Sequence, residues 1–588
     1  MQKIIRIINI YISMKLAVFL MISILLFIPL ANACKDIIVT NSATKGDYNL
    51  LMKVRDPSRP GLQVLFIANK GYEYSYHNPW KNEPWIFRLN HKIIGVATQG
   101  DTPPNMIKAG MLMSDAGIAY GDADSPTLYI NPTRHAWDDF DWLLYAAENA
   151  SNEDEAIERL KEVSDMHACG VGENLFVVGH SKAYVAEGDA LHFVTREING
   201  IEVMSNYPKM LWEKRAGKRM IASSFDTVYE GYVKRWQVVR LGGLAGVRIV
   251  KIGSNWIMAR AIPFGAKIKI DEGKGSKVGD FWIELIKCEG KRAMVKVCYE
   301  YYEWENEIKR MLNTSIGVED LMNISRLTTD DLHGLRGMAE GSEKATMIFK
   351  IPLQNYEKLT MGWFAPDAMA SIFIPVHIAD YDINDAYENG QAAQLAKTIL
   401  QKFGSFDFSR IEKVFLNENE GIEKLAFKKD DKASQILTIS DTSMQAQALL
   451  IEKHILSMNE ESMDKFLSLW DESYYKTICN MEKRINKMDP QSKKVIVSVA
   501  LKMCEARVKI EKIANGSDYT GQYERAKELA QKGKYKDSLN AMKSIFSKTD
   551  ESLFGITHEK KRRNDITLIA VMTIAVLFMA MIYIKRRR

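Results

Sequence analysis

The sequence is poor in cysteine, with six in a chain of 588 residues. That number is too small for a disulfide framework in a chain of this length. No two cysteines are spaced as C-x-x-C, and the ten histidines form no H-E-x-x-H or similar ligand motif. These spacings mark the metal sites that a sequence reveals most clearly. The sequence therefore predicts neither a disulfide scaffold nor a metal site.

Acidic residues are absent from both ends of the chain. Residues 1–33 carry three lysines and arginines and residues 566–588 carry four, with no aspartate or glutamate in either segment. Because the whole chain has a net charge of +5, removing these seven cations leaves −2 for residues 34–565. A nucleic-acid-binding protein needs phosphate-neutralising charge on its folded body. The distribution of charge argues against that class, and no nucleic-acid partner is expected.

The same two ends hold the long uncharged runs. Residues 16–28 are apolar except for Ser23 and are followed by Ala31-Asn32-Ala33, a small-x-small site typical of a signal peptide over residues 1–33, with Met1 or Met14 as the start. Residues 566–584 are uncharged and would span about 28 Å as a helix. They predict a transmembrane helix, preceded by a basic linker over 550–565 and followed by a cytoplasmic tail over 585–588. We expect a single-pass protein of the cell membrane with its body outside the cytoplasm.

Cys34 directly follows the predicted cleavage site. Cleavage there would give one residue both a thiol and a free α-amine. An α-amine has an ordinary pKa of about 7.7–8.0, which suits a general base at neutral pH, and a thiol beside its own base is an activated nucleophile. Lipidation of Cys34 and an accidental position remain as alternatives. Ala31 stands where a lipidation motif has a leucine-like residue, and an apolar strand follows Cys34 at once.

The segment after Cys34 predicts a β-hairpin over residues 35–54. Two apolar runs flank the turn-rich segment 41–47. A loop centred near residue 44 pairs positions whose numbers sum to about 88–89, which places Cys34 beside Val54 and Arg55, with Asp56 next. Arg55 could favour a thiolate or hold a substrate carboxylate, and Asp56 could orient the amine or Arg55. The alternative is an ion pair at the surface end of a strand.

These residues resemble the N-terminal-nucleophile (Ntn) cysteine hydrolases, which include penicillin V acylase, bile-salt hydrolase, the acyltransferase of penicillin biosynthesis and the dipeptidase A type. The resemblance rests first on Cys34, the turn Ala43-Thr44-Lys45-Gly46-Asp47 and the strand that ends in Arg55-Asp56. Further stretches match in order: 113–126 with Asp124 in its loop, 174–178 with 183–187, 204–208 with Asn206, 332–334, 344–349 and 362–366.

The resemblance implies roles for individual residues. Cys34 would be the catalytic nucleophile and Asn206 a donor to the oxyanion. Arg55, Asp56 and Asp124 would bind substrate, with Asp124 in the place of a family asparagine. No metal or organic cofactor is needed for this chemistry.

The expected fold is α+β. A four-layer αββα Ntn-hydrolase sandwich over 34–380 carries a β-rich insertion at 232–302, and it is followed by an α-helical region over 384–549 and the transmembrane helix. The predicted function is that of an extracytoplasmic, membrane-anchored amidohydrolase that cleaves non-peptide amides or small peptides. Acyl transfer to an amine and a catalytically silent surface binding or scaffold protein are the alternatives. The substrate and the oligomeric state stay open.

Overall fold

The computed structural model describes residues 34–56, 61–78, 83–211, 228–241, 245–263, 265–313, 315–341 and 344–558. The strands are β1 (Lys35–Val39), β2 (Tyr48–Val54), β3 (Gln63–Ala68), β4 (Glu73–His77), β5 (Pro84–Arg88), β6 (Ile93–Thr98), β7 (Ala109–Ser114), β8 (Ile118–Asp124), β9 (Glu173–Gly179), β10 (Ala183–Gly188), β11 (Phe193–Glu197), β12 (Ile201–Ser205), β13 (Val228–Lys234), β14 (Val238–Val239), β15 (Gly246–Ile252), β16 (Trp256–Ile262), β17 (Lys267–Asp271), β18 (Lys274–Val278), β19 (Phe281–Glu289), β20 (Arg292–Tyr299), β21 (Thr346–Pro352), β22 (Met361–Ala365) and β23 (Ile374–His377).

The α-helices are α1 (Asp139–Asn149), α2 (Glu153–Asp165), α3 (Glu300–Met311), α4 (Val318–Ser325), α5 (Tyr356–Leu359), α6 (Asp385–Glu388), α7 (Gln391–Phe403), α8 (Ser409–Lys428), α9 (Ala433–Ile455), α10 (Glu460–Leu467), α11 (Tyr474–Arg484), α12 (Pro490–Asn515), α13 (Thr520–Gln531) and α14 (Tyr535–Phe554).

Two antiparallel sheets lie face to face at the centre of the molecule. The first has the strand order β12-β1-β2-β21-β22-β23, and the second has the order β11-β10-β9-β8-β7-β6-β3. Strands such as β1 and β7 are buried at every position because both faces of each sheet are covered. The sheets approach closely at Gly121, where a Cβ atom would lie 3.2 Å from the side chain of Lys53.

Helices cover the outer faces of the two sheets. Helices α1 and α2 pack on the second sheet, where Trp142 donates its indole N–H to the carbonyl of Leu160 at 2.7 Å. Helices α3 and α4 pack on the first sheet, and Trp304 of α3 is 1 % exposed there. Helix, sheet, sheet and helix therefore follow one another across this part of the molecule.

Between β12 and α3 the chain builds a separate β unit, and after β23 it becomes helical. The β unit has two four-stranded sheets, β13-β20-β19-β18 and β14-β15-β16-β17, around their own apolar core. In the helical part, α9 packs against β23 and α12 packs against α9. The start of α12 follows from its sequence, since Asp489 accepts from the backbone N–H groups of Gln491 and Ser492 and Pro490 occupies the first turn.

The predicted fold class is wrong in its last element, the transmembrane helix. Among the described residues, no helix has both the length and the apolar composition that crossing a membrane requires. The longest described helix, α12, carries eight charged side chains among its 26 residues. The predicted span 566–584 and the predicted signal peptide 1–33 lie outside the described residues. The described chain is therefore mixed α/β without a transmembrane helix.

Candidate functional site

Cys34 lies at the start of β1, between the ends of two neighbouring strands. Antiparallel pairing joins Lys35 to Val54 on β2 and to Ser205 on β12. If both registers continue by one residue, Cys34 lies at the strand ends between Arg55 on one side and Asn206 on the other. The predicted hairpin is confirmed, including the register in which paired numbers sum to 89.

The Cys34 thiol is half-buried and forms no disulfide. Burial raises the pKa of this thiol to about 12; Lys53 opposes the rise, and Asp122 and Asp36 add to it. The backbone N–H of Asp56 hydrogen-bonds the sulfur and acts in the same direction as Lys53. The thiol is therefore protonated at neutral pH, and it needs a base to become a nucleophile.

A buried ionic cluster, Asp36, Lys53 and Asp122, lies next to the thiol. Asp36 and Lys53 are cross-strand partners in the hairpin, and Asp122 is on β8 of the facing sheet. The Lys53 ammonium lies 2.7 Å from Asp122 Oδ1 and 3.8 Å from Asp36 Oδ1. Burial alone would lower the pKa of Lys53, but the two carboxylates raise it well above its ordinary value. Lys53 is therefore positively charged at neutral pH and lies close to the Cys34 thiol.

Sequence analysis did not identify this ionic cluster, although the predicted hairpin register contained one indication of it. Positions 36 and 53 sum to 89, so the predicted hairpin register already paired an acid with a base inside two largely apolar strands. A buried opposite-charge pair of this kind is unusual and marks a candidate site. The third member, Asp122, had no such signal because it comes from the other sheet.

Arg55 is 4 % exposed, so it is not part of a surface ion pair. Its Nη1 donates to Gln63 Oε1 at 2.5 Å, and its guanidinium lies 5.1 Å from the ring centroid of Phe140. Gln63 is on β3 and Phe140 is on α1, so Arg55 bridges from the first sheet to elements of the second. The Arg55 cation is thereby fixed between the sheets, on the flank of Cys34.

The carboxylate of Asp56 forms an ion pair with a residue outside the hairpin. Its Oδ2 lies 3.1 Å from the ammonium of Lys344, which precedes β21. The backbone N–H of Asp56 contacts the thiol, and its carboxylate pairs with Lys344. That Asp56 orients the amine or Arg55 stays a prediction.

Asn206 and Asp124 are brought together at the end of β8. The side-chain amide of Asn206 donates to the backbone carbonyl of Asp124 at 2.5 Å, and Asn206 is 8 % exposed. A primary amide has two N–H groups, so one remains for another acceptor. Asn174, which sequence analysis placed in a matching stretch but not in the site, donates to the carbonyl of Ser205 at 2.7 Å and so holds the end of β12.

Asp124 is an exposed residue, but its carboxyl group is partly shielded from water beside Glu173 and Asp122. Loss of hydration raises its pKa; a hydrogen bond with Glu173 opposes the rise, and the nearby Asp122 adds to it. A carboxyl group next to the end of β12 could contact a bound molecule. Its backbone carbonyl has the separate role of orienting the Asn206 amide.

A second buried cluster, His377, Asp380 and Asp441, has atoms of the kind that hold a metal ion. Among the described residues these atoms lie within 4.8 Å of one another. The backbone N–H of His377 donates to both carboxylates, at 2.8 Å to Asp380 and 3.1 Å to Asp441, and its Nδ1 lies 2.7 Å from Asp441. Because the cluster is bonded internally and an N–H group points at its carboxylates, it fits an ionic network better than a cation site.

No protein family model matches the chain, and no curated protein does so either. Among solved structures, the chain is similar to a mutant of the conjugated bile acid hydrolase from Clostridium perfringens, with 13 % identity and a TM-score of 0.23. It is also similar to penicillin V acylase from Agrobacterium tumefaciens, with 15 % identity and a TM-score of 0.21. Each match covers 33 % of this chain and 60 % of the other. Both likenesses are slight, and the function proposed below rests on the arrangement of side chains instead.

Proposed function

We propose that residues 34–380 form a cysteine amidohydrolase that becomes active when the bond between Ala33 and Cys34 is cut. The substrate is a linear amide, either a non-peptide amide or a small peptide. The observation that carries this proposal is the strand register, which pairs Lys35 with both Ser205 and Val54 and so brings the next positions, Cys34, Asn206 and Arg55, to adjacent strand ends. A thiol nucleophile and an amide donor are groups that acyl transfer through a thioester uses, and a cation beside them can hold a charged group of the substrate.

In the proposed reaction, the Cys34 sulfur attacks the amide carbonyl carbon. The Cys34 α-amine accepts the thiol proton and returns it to the leaving nitrogen, so that the C–N bond breaks and a thioester forms. Water, deprotonated by the same amine, then hydrolyses the thioester. The free N–H of Asn206 stabilises the oxyanion of each tetrahedral intermediate.

The raised pKa of the Cys34 thiol supports the proposal that the α-amine of the same residue acts as the base. Since burial raises the pKa of Cys34 to about 12, the thiolate is scarce at neutral pH without help. An α-amine with a pKa of about 7.7–8.0 is half-neutral near pH 8 and belongs to the same residue. Lys53 would stabilise the developing thiolate through its charge. Arg55 and Asp124 are the proposed contacts for charged groups of the substrate.

The direct experiment traps the covalent intermediate. The mature protein would first be sequenced from its N-terminus, and a free cysteine at position 34 is expected. A panel of N-acyl p-nitroanilides would then be offered, and the acylated Cys34 peptide would be identified by mass spectrometry as a hydroxylamine-sensitive adduct. Cys34→Ala should abolish both the adduct and turnover, whereas the same substitution at Cys479, another half-buried cysteine, should change neither.

Three outcomes would contradict the proposal. A lipid adduct on Cys34 would make it an anchor. A mature chain that begins elsewhere would remove the base. Turnover by Cys34→Ala within about tenfold of the wild type would exclude the nucleophile. Adding an amine acceptor to the assay separates hydrolysis from acyl transfer, since transfer would yield the new amide in place of the acid.

A further inference from the structure

The β unit formed by β13–β20 carries a charge opposite to that of the rest of the body. Residues 228–299 contain fourteen lysines and arginines against six aspartates and glutamates, a net charge of +8. Since residues 34–565 together carry −2, the remainder of the body carries −10. The molecule therefore has a positively charged β unit and a negatively charged remainder. An anionic partner would attract the β unit and repel the rest of the body.

The strand order places four turns of the β unit at one end. Successive strands are antiparallel, so the turns after β13, β15, β17 and β19 lie on the same side. Contacts between turns agree with this placement. The backbone N–H of Glu272 donates to the carbonyl of Asn255 at 2.8 Å, and Glu272 Oε2 accepts from the backbone N–H of Cys288 at 2.9 Å. We call this surface the distal end, formed by residues 234–237, 251–256, 269–274 and 287–292.

The distal end faces away from the two central sheets. Strand β20 begins there at Arg292 and leads at its other end directly into α3, which packs against β12. A strand of eight residues is about 23 Å long at roughly 3.3 Å per step. The distal end is thus held well clear of the site around Cys34, and the proposed chemistry does not use it.

Cations crowd the distal end and are exposed. They are Lys234, Arg235, Lys251, Lys269, Lys274, Lys287, Lys291 and Arg292. Three acids, Asp271, Glu272 and Glu289, lie among them; Lys269 pairs with Asp271 and Lys287 with Glu289. The cations therefore outnumber the acids by five, which accounts for most of the positive charge of the unit.

Two exposed aromatic rings accompany these cations: Trp236 within the distal end, and Tyr232 just beside it on β13. Trp236 is 55 % exposed and Tyr232 is 42 % exposed. The guanidinium of Arg235 lies 5.2 Å from the Trp236 ring centroid, and that of Arg292 lies 5.1 Å from the Tyr232 centroid. A ring with an apolar body and cations beside it matches the interfacial zone of a bilayer, where tryptophan and tyrosine accumulate.

The backbone at Trp236 is strained. Its φ is 70°, in the left-handed region that a bulky side chain rarely adopts. Its backbone N–H is fixed to the carbonyl of Ile249 at 2.6 Å. Such strain persists where the surroundings impose it, and it is often found at binding sites.

We propose that the distal end docks the protein on an anionic phospholipid surface. The cations pair with lipid phosphates and carboxylates, and Trp236 and Tyr232 enter the headgroup zone. The four turns protrude from the β unit, so they can contact a flat surface together. The charge of −10 on the rest of the body repels anionic lipid, which orients the protein with its distal end towards the membrane. Docking would hold the central sheets above the membrane plane by the length of the β unit.

The test is binding of the full chain to vesicles. Vesicles of 70 % phosphatidylcholine and 30 % phosphatidylglycerol would be compared with pure phosphatidylcholine, whose binding measures every charge-independent contribution. We expect tighter binding to the anionic vesicles, weakened by salt. Replacing Lys234, Lys251 and Lys291 by Gln should lower the charge-dependent partition coefficient about 100-fold, roughly fivefold per cation. Trp236→Gly, which suits the positive φ, should lower it several-fold without loss of folding.

The matched control replaces Lys413, Lys494 and Lys534, three exposed lysines of the helical part, by Gln. Net charge changes equally, so this variant should bind as the wild type does. Equal binding by the two triple variants, or no preference for anionic vesicles, would overturn the proposal. Binding to dissolved dextran sulfate that is as tight as binding to vesicles, and unaffected by Trp236→Gly, would assign the distal end to a soluble polyanion instead.

Discussion

At the scale of single residues, the alternation of a strand decides what surrounds the candidate nucleophile. Cys34, Asp36 and Ile38 project from one face of β1, towards the second sheet, while Lys35 projects from the other. Asp36 therefore meets Lys53 and the facing Asp122, and the Lys35 ammonium contacts the carbonyl of Met338. Two neighbouring lysines thus have opposite environments: carboxylates raise the pKa of Lys53, and burial lowers that of Lys35 to about 7.

The first residue-scale prediction concerns Asn206. Asn206→Ala should lower kcat by about 10²–10³ with little change in KM, because one oxyanion donor is lost in the transition state. Steady-state kinetics on the amide found in the trapping experiment would measure this. Asn199→Ala, at an exposed turn beside β12, is the matched control and should leave both constants unchanged. A change in KM alone would make Asn206 a binding residue.

The second residue-scale prediction concerns Lys53. Lys53→Met should raise the pKa of the Cys34 thiol further and slow its alkylation by iodoacetamide several-fold at pH 8–9. It should also destabilise the fold by about 3–5 kcal/mol, since Asp122 and Asp36 lose their counter-ion. The Cys34 peptide would be followed by mass spectrometry and unfolding by denaturant titration.

Lys35→Met removes the adjacent buried lysine from the opposite face of β1. Its ammonium donates to the carbonyl of Met338 and acts on Asp36 less strongly than Lys53 does. Alkylation of Cys34 should therefore change much less in this variant than in Lys53→Met. If both variants slow alkylation equally, the charge of Lys53 has no specific effect on the thiol.

At the scale of elements, local patterns predicted pairs that are close in sequence and missed pairs that are distant. The hairpin β1–β2 followed from its turn residues and its two apolar runs, and its register placed Arg55 beside Cys34. Asp56–Lys344 joins residues 288 positions apart, and nothing in either segment indicates the other. The buried His377 network likewise depends on packing between β23 and helices α8 and α9.

The His377 network gives the element-scale prediction. His377 faces Asp441 on α9, Glu423 on α8 and Asp380, while Lys350 on β21 pairs with Glu423. Burial opposes protonation, but Asp441 and its neighbours raise the pKa of His377 to about 10, above its ordinary value of about 6.5. The stabilisation is therefore complete below about pH 6.5 and is lost as pH rises through 10.

His377→Gln should destabilise the fold by about 3–5 kcal/mol at pH 6 and by clearly less at pH 10. The measurement is the free energy of unfolding across this range, taken as the difference from the wild type. His454→Gln is the control, since burial lowers the pKa of His454 and its contribution should not fall above pH 6.5. A constant difference between His377→Gln and the wild type would show that His377 does not titrate in this window.

At the scale of the whole molecule, the candidate site exists because two sheets face each other. β1, β2 and β12 supply Cys34, Lys53, Arg55 and Asn206, and β8 supplies Asp122 and the carbonyl that orients Asn206. Sequence analysis identified Cys34, Arg55 and Asn206 by their order along the chain, but it did not identify Lys53. It could not give their partners on the second sheet, because the alignment of two sheets depends on packing across the whole core.

The last prediction is that cleavage of the peptide bond before Cys34 controls catalysis. Suppose that residues 34–558 are produced with a retained Met-Leu extension before Cys34. The thiol, Lys53, Arg55 and Asn206 would all be present, but the α-amine would be locked in an amide and could not accept a proton. General-base assistance contributes about 10²–10⁴ in rate, so the extended protein should fold, with the unfolding transition of the trimmed form, and be nearly inactive. Proteolytic removal of the extension should restore turnover in proportion to the fraction of free N-terminal cysteine measured by mass. If the extended and trimmed forms turn over substrate equally, the α-amine of Cys34 is not the base.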